Sequence, residues 1–218
     1  MTEATSDNRS IYRFRWIGYG LLIFALIDSF QVLIPPGFMN PAWELNTIGA
    51  LVERVAVPLL GLALIFFGEF YDRTMPEKLS LKVLSWACLV LAIVFVLMVP
   101  LGVFDTIRLN SQSSQQVGAQ MEQFKKLEDQ LNQSKPEQIK NLGAQLNTLG
   151  VSVDADDPEK LKGAVMARIN GAKAKVQADR SNQRLMLFKN SVKWNLGALI
   201  AATLFFVLWK TTDWARTS

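Results

Sequence analysis

Three ionisable residues lie inside apolar segments, where a charge either takes part in chemistry or holds helices together. Asp28 falls within the apolar run of residues 16–34, and Glu53 and Arg54 fall within the next run, residues 47–70. Charge at such depth in a membrane is costly and is usually paired or functional. We therefore predict an intramembrane ion pair between Asp28 and Arg54, with Glu53 as the competing partner. An ion or proton path is the alternative.

Other catalytic and metal-binding groups are scarce in this sequence. There is no histidine, and the single cysteine, Cys88, lies in an apolar run. The chain thus lacks the commonest general base and the commonest metal and haem ligand. The acidic cluster of Asp154, Asp156, Asp157 and Glu159 lacks the glycine and distal glutamate of a calcium loop, and it is typical of a helix N-terminus. We expect no enzyme activity, no metal and no cofactor.

The charged residues must be positioned by apolar segments that are long enough to cross a membrane. A helix of about 20 residues spans a hydrocarbon core of about 30 Å. Four runs are close to this length: residues 16–34, 47–70, 81–103 and 194–209. The predicted fold is all-α, an integral membrane protein with an extramembrane helical hairpin or small bundle between its third and fourth transmembrane helices. The predicted parts are a tail (1–15), three transmembrane helices (16–103), the loop domain (104–191) and the last helix with its tail (192–218).

The distribution of Lys and Arg predicts the orientation. Four spans place both termini on the same side, together with Arg9, Arg13, Arg15 and the basic residues between spans two and three. The loop of residues 35–46 on the other side has neither Lys nor Arg. By the positive-inside rule the termini are cytoplasmic, and the long loop is periplasmic or lumenal.

The long loop contains amphipathic segments. Its first segment continues the third span as one helix and carries an apolar stripe, Met121, Phe124, Leu127 and Leu131, at helical spacings. A second helix follows Ser134, and a third begins at Pro158 and runs into the fourth span. The stripes are too narrow to be buried by one helix alone. They pack on one another, or they form a docking or oligomerisation surface, or the loop is partly disordered.

A short segment between spans one and two has a composition of its own. Residues 34–45 hold three prolines and one glycine, which predicts a stiff, non-helical turn. Phe38, Met39 and Trp43 should then lie at the membrane interface. The segment is interpreted as a rigid re-entrant turn, and a surface that contacts a partner or lipid is the alternative.

The segment that contains this turn resembles a known family. IPPGFMNPAWELNTIGALVERVAVPLLGLALIFFGE, residues 34–69, is similar to the HpsJ family of cyanobacterial membrane proteins, and so is LSWACLVLAIVFVLMVPLGVFDTIRLN in the third span. The family is associated with hormogonium polysaccharide production and export. The resemblance implies an accessory role in a cyanobacterial plasma or thylakoid membrane, and it supplies no catalytic residue.

These observations favour a non-enzymatic accessory or scaffold protein that docks or braces a membrane complex through its extramembrane helices. One alternative is an accessory subunit of a polysaccharide biosynthesis or export apparatus. Another is a small transporter or channel that uses Asp28, Glu53 and Arg54. The expected partners are the lipid bilayer and a protein or a second copy of the chain. No basic segment indicates nucleic acid, and no motif indicates a small-molecule substrate.

Overall fold

The computed structural model describes residues 2–67, 74–133 and 158–217, and the regular structure in them is helical throughout. The predicted second helix of the loop and the acidic residues 154–157 lie outside the described residues. The described helices are α1 (Thr2–Leu33), α2 (Pro41–Arg54), α3 (Ala56–Phe66), α4 (Met75–Gln133), α5 (Pro158–Thr211) and α6 (Trp214–Thr217).

Four helical segments are long and apolar enough to cross a membrane. They are Ile11–Leu33, Pro41–Phe66, and parts of α4 and α5. The chain is thus a multi-pass membrane protein of the all-α class, as the hydropathy pattern predicts. Side chains on the surfaces of these segments are apolar and exposed, among them Phe24, Leu97 and Ile200. Such a surface is suited to contact with lipid.

Two of the helices are far longer than a membrane span requires. α4 has 59 residues and α5 has 54, which correspond to lengths of about 80–90 Å. α4 continues through Pro100 and beyond Val103 without interruption. The prediction that the third span and the first loop segment form one helix is therefore confirmed, and so is the continuity of the third loop helix with the fourth span.

The second span is not the single helix that its hydropathy predicts. It begins at Pro41, stops at Arg54, and resumes at Ala56. The physical reason is Pro58, which has no N–H to donate to the carbonyl of Arg54 and whose ring crowds that carbonyl. The Val55 N–H bonds to Val52 O at 3.4 Å, and regular spacing resumes with the Leu59 N–H on Val55 O at 3.2 Å.

The chain divides into two compact units. Unit 1 comprises Met1–Leu109 and Phe188–Ser218, and unit 2 comprises Asn110–Leu187. Unit 2 is shorter at both ends than the predicted loop domain of residues 104–191. The difference has a structural reason, since Thr106 donates a hydrogen bond to Ser191 at 2.9 Å and both residues belong to unit 1.

Unit 1 has a core in which small side chains allow close helix packing. Cys88 and Ala198 are fully buried, and Phe95 stacks on Phe205 with ring centroids 5.6 Å apart. α1 meets α3 backbone to backbone, because a Cβ on Gly18 would lie 2.7 Å from the Gly61 carbonyl oxygen. Cys88 is thus a residue of the helix interface and does not face lipid.

In unit 2 the polar parts of α4 and α5 pack as an antiparallel pair. The Lys173 ammonium donates to the Glu128 carboxylate, and Arg180 donates to Ser114 Oγ at 2.9 Å. The two apolar stripes are largely turned inward. On α4, Leu131 is buried and Met121 and Phe124 are half-buried, and on α5 the half-buried members are Val165, Ile169 and Val176.

Candidate functional site

A short turn joins α1 to α2, and its sequence fixes both of its ends. Pro35 and Pro36 come after Ile34, one residue past the end of α1 at Leu33, and have no N–H to continue the helical hydrogen bonding. Asn40 then caps α2, since its Oδ1 accepts a hydrogen bond from the Ala42 N–H at 3.0 Å. Pro41 occupies the first helical position, where a missing N–H costs nothing. The predicted turn is ordered over residues 34–40 and is here called the loop-end turn. Residues 41–45, which the prolines predicted to be non-helical as well, already belong to α2, because Asn40 and Pro41 start the helix there.

Met39, the last residue but one of this turn, has a backbone conformation that is rare for a residue with a side chain. Its φ is 72°, in the left-handed region, which costs about 1–2 kcal/mol for an L-residue. Side chains hold both of its backbone polar groups. The Met39 N–H donates to Glu44 Oε1 at 2.7 Å, and its carbonyl accepts from Arg108 Nη2 at 3.3 Å. The turn is therefore fixed by residues of α2 and α4.

The fixed turn presents two large apolar side chains to its surroundings. Phe38 is 75% exposed and Met39 is 80% exposed. Trp43 lies behind them and supports the turn, with its ring edge-on to Phe38 at 5.3 Å. A Cβ on Gly37 would lie 2.8 Å from Trp43 Cγ, so only glycine permits this approach. Phe38, Met39 and Trp43, all predicted to lie at the interface, thus form one contiguous apolar feature.

Behind the turn lies a cluster of charges that sequence reasoning missed. Arg108 Nη1 is 3.8 Å from Glu44 Oε2 and 3.6 Å from Asp105 Oδ1. The Asp105 side chain is fully buried, and its carboxylate oxygens have no hydrogen-bond partner among the described residues. One guanidinium therefore balances two carboxylates. The available signal was the spacing of Asp105 and Arg108, three residues apart just beyond the third apolar run.

The other residues of the predicted interaction surface belong to the α4 stripe in unit 2. Some of them are buried in the helix pair and one is exposed. Leu127 is 50% exposed, whereas Met121, Phe124 and Leu131 are half-buried or buried in the helix pair. These three residues pack within the chain. Of the predicted stripe, only Leu127 is available as a contact surface.

The structure gives Glu53 a partner other than Arg54. The Lys193 ammonium lies 2.6 Å from Glu53 Oε1, and the Trp194 indole N–H donates to the same oxygen at 3.1 Å. The contact joins α2 to the start of the fourth span. The prediction that Glu53 competes for Arg54 is thus replaced by a pair of Glu53 with Lys193.

Asp28 and Arg54 do not form the predicted ion pair in the described part of the chain, where the ion pairs involve other residues. The two residues do line the same cavity, whereas Glu53 is not among the residues of its wall. Asp28 and Arg54 thus share one cavity, as expected for neighbouring helices, but their charged groups do not come within ion-pair distance.

Metal coordination has little support in the described ranges. Within residues 2–67, 74–133 and 158–217, no three acidic or cysteine side chains come close enough together to hold a metal ion.

The comparisons with known proteins identify a family. The family model for HpsJ-like proteins matches residues 9–213, which is nearly the whole chain. Neither the curated proteins nor the solved structures contain a match to this sequence.

Proposed function

Because the chain belongs to the HpsJ-like family, we propose that it is an accessory membrane protein of polysaccharide production or export. It acts without catalysing a reaction, by docking or bracing a partner membrane complex. The family resemblance supports the link to polysaccharide. The near absence of catalytic groups, beginning with the missing histidines, supports the non-enzymatic role.

The loop-end turn is the observation that carries the docking proposal. Its left-handed residue is held by Glu44 and Arg108, and strained backbone that persists in this way clusters at functional sites. The turn keeps Phe38 and Met39 exposed in one geometry. Exposed aromatic and methionine side chains on a pre-organised support are favourable anchors for a protein partner, because little conformational freedom is lost on binding.

The extramembrane helices contribute in a different way from the one the sequence suggests. The apolar stripes of α4 and α5 face each other in unit 2, so their outer faces are mainly polar. Leu127, Leu185 and Met186 are the exposed large apolar side chains among the described residues of that unit. The helix pair therefore serves as a polar bracing surface, and the apolar anchor belongs to the loop-end turn.

The orientation belongs to the same proposal. With both termini cytoplasmic, as the Lys and Arg distribution indicates, the loop-end turn and unit 2 are exposed to the periplasm or lumen. A partner that handles exported polysaccharide would be accessible on that side of the membrane.

The transporter alternative has less support. It requires Asp28, Glu53 and Arg54 on one polar path, but Glu53 is bound by Lys193 and Trp194. The cavity that Asp28 and Arg54 share has an aliphatic wall, which includes Leu22, Leu91 and Met98. We therefore favour the docking role.

The test is a double substitution, Phe38→Ser with Met39→Ser, in a cyanobacterium that carries the gene. We expect normal accumulation of the protein in the membrane, together with less secreted polysaccharide and loss of the protein partner that co-purifies with the wild type in mild detergent. The matched control is Met75→Ser with Leu79→Ser, because these side chains are 83% and 67% exposed at the opposite end of unit 1.

The docking role is tested by comparing the secreted polysaccharide of the two double variants with that of the wild type. Equal polysaccharide secretion in the turn variant and the wild type would contradict the docking role. An equal loss in the turn variant and the control would do so too, because it would indicate a general effect of polar substitution.

A further inference from the structure

A cavity of about 260 Å³ lies among the membrane-spanning helices of unit 1. Most of its wall is aliphatic and comes from α1, α3 and α4, with Leu26, Leu62 and Val94 among its residues. Asp28, Ser29 and Arg54 also line it. Asp28 lies five residues before the end of α1, at a depth of about 8 Å by helical rise. The cavity is therefore amphiphilic, with its polar groups near the end of the bundle that holds the loop-end turn.

The two charges of this cavity are unpaired in the described residues. Asp28 is half-buried, and neither Asp28 nor Arg54 forms an ion pair, although both line one wall. In a membrane an unpaired charge is costly, and ionisable residues there are usually paired or functional. Asp28 and Arg54 carry opposite charges and line the same cavity without forming an ion pair. A ligand in this cavity can therefore contact both side chains.

The break in the second span adds a further polar group at this position. Arg54 is the last residue of α2, and Val57 and Pro58 line the same cavity. Because Pro58 has no N–H, the Arg54 carbonyl lacks its usual helical donor. Irregular backbone at membrane depth is tolerated where it is buried in protein or lines a cavity. The wall of one apolar space thus includes a cation and an anion, and the residue that carries the cation also has a carbonyl without its helical donor.

We propose that this cavity binds an anionic lipid whose headgroup also carries hydroxyl groups. The lipid phosphate accepts hydrogen bonds from the Arg54 guanidinium, and the headgroup hydroxyls donate to the Asp28 carboxylate and the Arg54 carbonyl. The acyl or prenyl chain occupies the aliphatic part of the cavity. Arginine is well suited to this role because its planar fork binds phosphate oxygens in pairs.

A second cavity lies between α4 and α5, and its comparison with the first shows which residues would select a lipid headgroup. It has a volume of about 420 Å³ and is lined by apolar residues such as Leu89, Ile93 and Leu199, with Thr203 as its polar member. It has no charged residue, so it can accept a hydrocarbon chain but has no group that selects a headgroup. Of these two cavities, the cavity of Asp28 and Arg54 combines room for a chain with groups that can recognise a phosphate and a hydroxyl.

The test is native mass spectrometry of the full-length protein, released from nanodiscs that contain phosphatidylglycerol, phosphatidic acid or phosphatidylcholine. Phosphatidylglycerol has both a phosphate and hydroxyls, so we expect it to be retained best. Arg54→Gln should lower its retention about tenfold, the effect of losing one charge-assisted hydrogen bond. Arg54→Lys, which keeps the charge, should retain an intermediate amount. Asp28→Ala should reduce the retention of phosphatidylglycerol to that of phosphatidic acid.

Two matched controls separate binding from folding. Lys193→Gln removes a cation from a residue that does not line the cavity, and it should leave lipid retention unchanged. Ala87→Phe fills the cavity and should lower retention, whereas Val90→Phe changes an exposed residue outside its wall and should not. If Arg54→Gln does not fold, the pair Ala87→Phe and Val90→Phe still tests the site.

A competition arm distinguishes two sources of the same chemistry. A polyprenyl phosphate that carries a sugar also joins a phosphate to hydroxyls, and displacement of phosphatidylglycerol by this lipid would identify a glycosylated carrier as the ligand. Failure to displace would identify the bilayer phospholipid. Equal retention of phosphatidylglycerol and phosphatidylcholine by the wild type would overturn the proposal. Unchanged retention in Arg54→Gln, or equal effects of Ala87→Phe and Val90→Phe, would overturn it as well.

Discussion

At the scale of single residues, the cluster around Arg108 determines whether the loop-end turn has one shape. Arg108 donates to the Met39 carbonyl and lies within 4 Å of Glu44 and Asp105. Glu44 in turn accepts from the Met39 N–H. The same few groups therefore neutralise a buried carboxylate and offset the cost of a left-handed methionine.

Removal of the Arg108 charge should lower the stability of the protein. Arg108→Gln leaves the buried Asp105 carboxylate beside Glu44 with no cation. We expect a loss of about 2 kcal/mol, below the roughly 3–5 kcal/mol of a fully buried pair, because a third of the Arg108 side chain is exposed. Unfolding of the purified protein in mixed detergent micelles measures this loss.

The double variant provides the control for this prediction. Asp105→Asn removes the unpaired charge, so Arg108→Gln combined with Asp105→Asn should recover part of the lost stability. Strictly additive effects of the two substitutions would show that the residues do not interact, and would contradict the cluster as described.

The sequence is informative about some of these residues and uninformative about others. The prolines and Gly37 are adjacent in the chain, and their backbone limits alone predict a stiff turn. The bond from Arg108 to Met39 joins residues 69 positions apart, and the pair of Glu53 with Lys193 joins residues 140 positions apart. Such partners depend on how helices meet, which one sequence read alone does not specify.

At the scale of helices, contact between backbones fixes the packing of α1 against α3. Gly18 and Gly61 face each other, and a Cβ on Gly18 would also lie 2.7 Å from Ile65 Cγ1. In a membrane, helix association depends strongly on such close van der Waals packing, and small residues are enriched where it occurs.

Gly18→Ala should therefore destabilise the protein, although alanine is the better helix former. We expect a loss of about 2 kcal/mol from the forced separation of α1 and α3, measured as a lower midpoint of unfolding in detergent. Gly20→Ala is the matched control two residues away, because a Cβ there meets nothing within 4 Å. It should be neutral or slightly stabilising. A loss of stability at Gly20 as large as at Gly18 would contradict the packing explanation.

The helices themselves were more predictable than their contacts. Hydropathy and length identify the four spans, and the absence of Pro and Gly between Val103 and Val117 predicts that the third span continues into a long α4. The interruption at Val55 was missed although Pro58 is visible in the sequence. A proline inside an apolar run either bends a membrane helix or breaks it, and the outcome depends on how neighbouring helices satisfy the freed carbonyl.

At the scale of the whole molecule, the chain combines a membrane unit with a polar helix pair, each with a different kind of surface. Unit 1 exposes apolar side chains to lipid and presents Phe38 and Met39 on a fixed turn. Unit 2 turns its apolar stripes inward and exposes polar faces. The fold class and the family were accessible from the sequence. The different character of these two surfaces was recognised only from the burial of individual side chains. The periodicity of the sequence indicates that burial only approximately.

The docking role requires that the loop-end turn contacts a protein partner in the membrane. Site-specific photocrosslinking in living cells tests this most directly, with a photoreactive residue at position 38 and a matched one at position 79, which is 67% exposed in the wild type. We expect a discrete adduct at position 38, identified by mass spectrometry as a component of polysaccharide synthesis or export, and none at position 79. Adducts with lipid alone at position 38, or the same adducts at both positions, would contradict it.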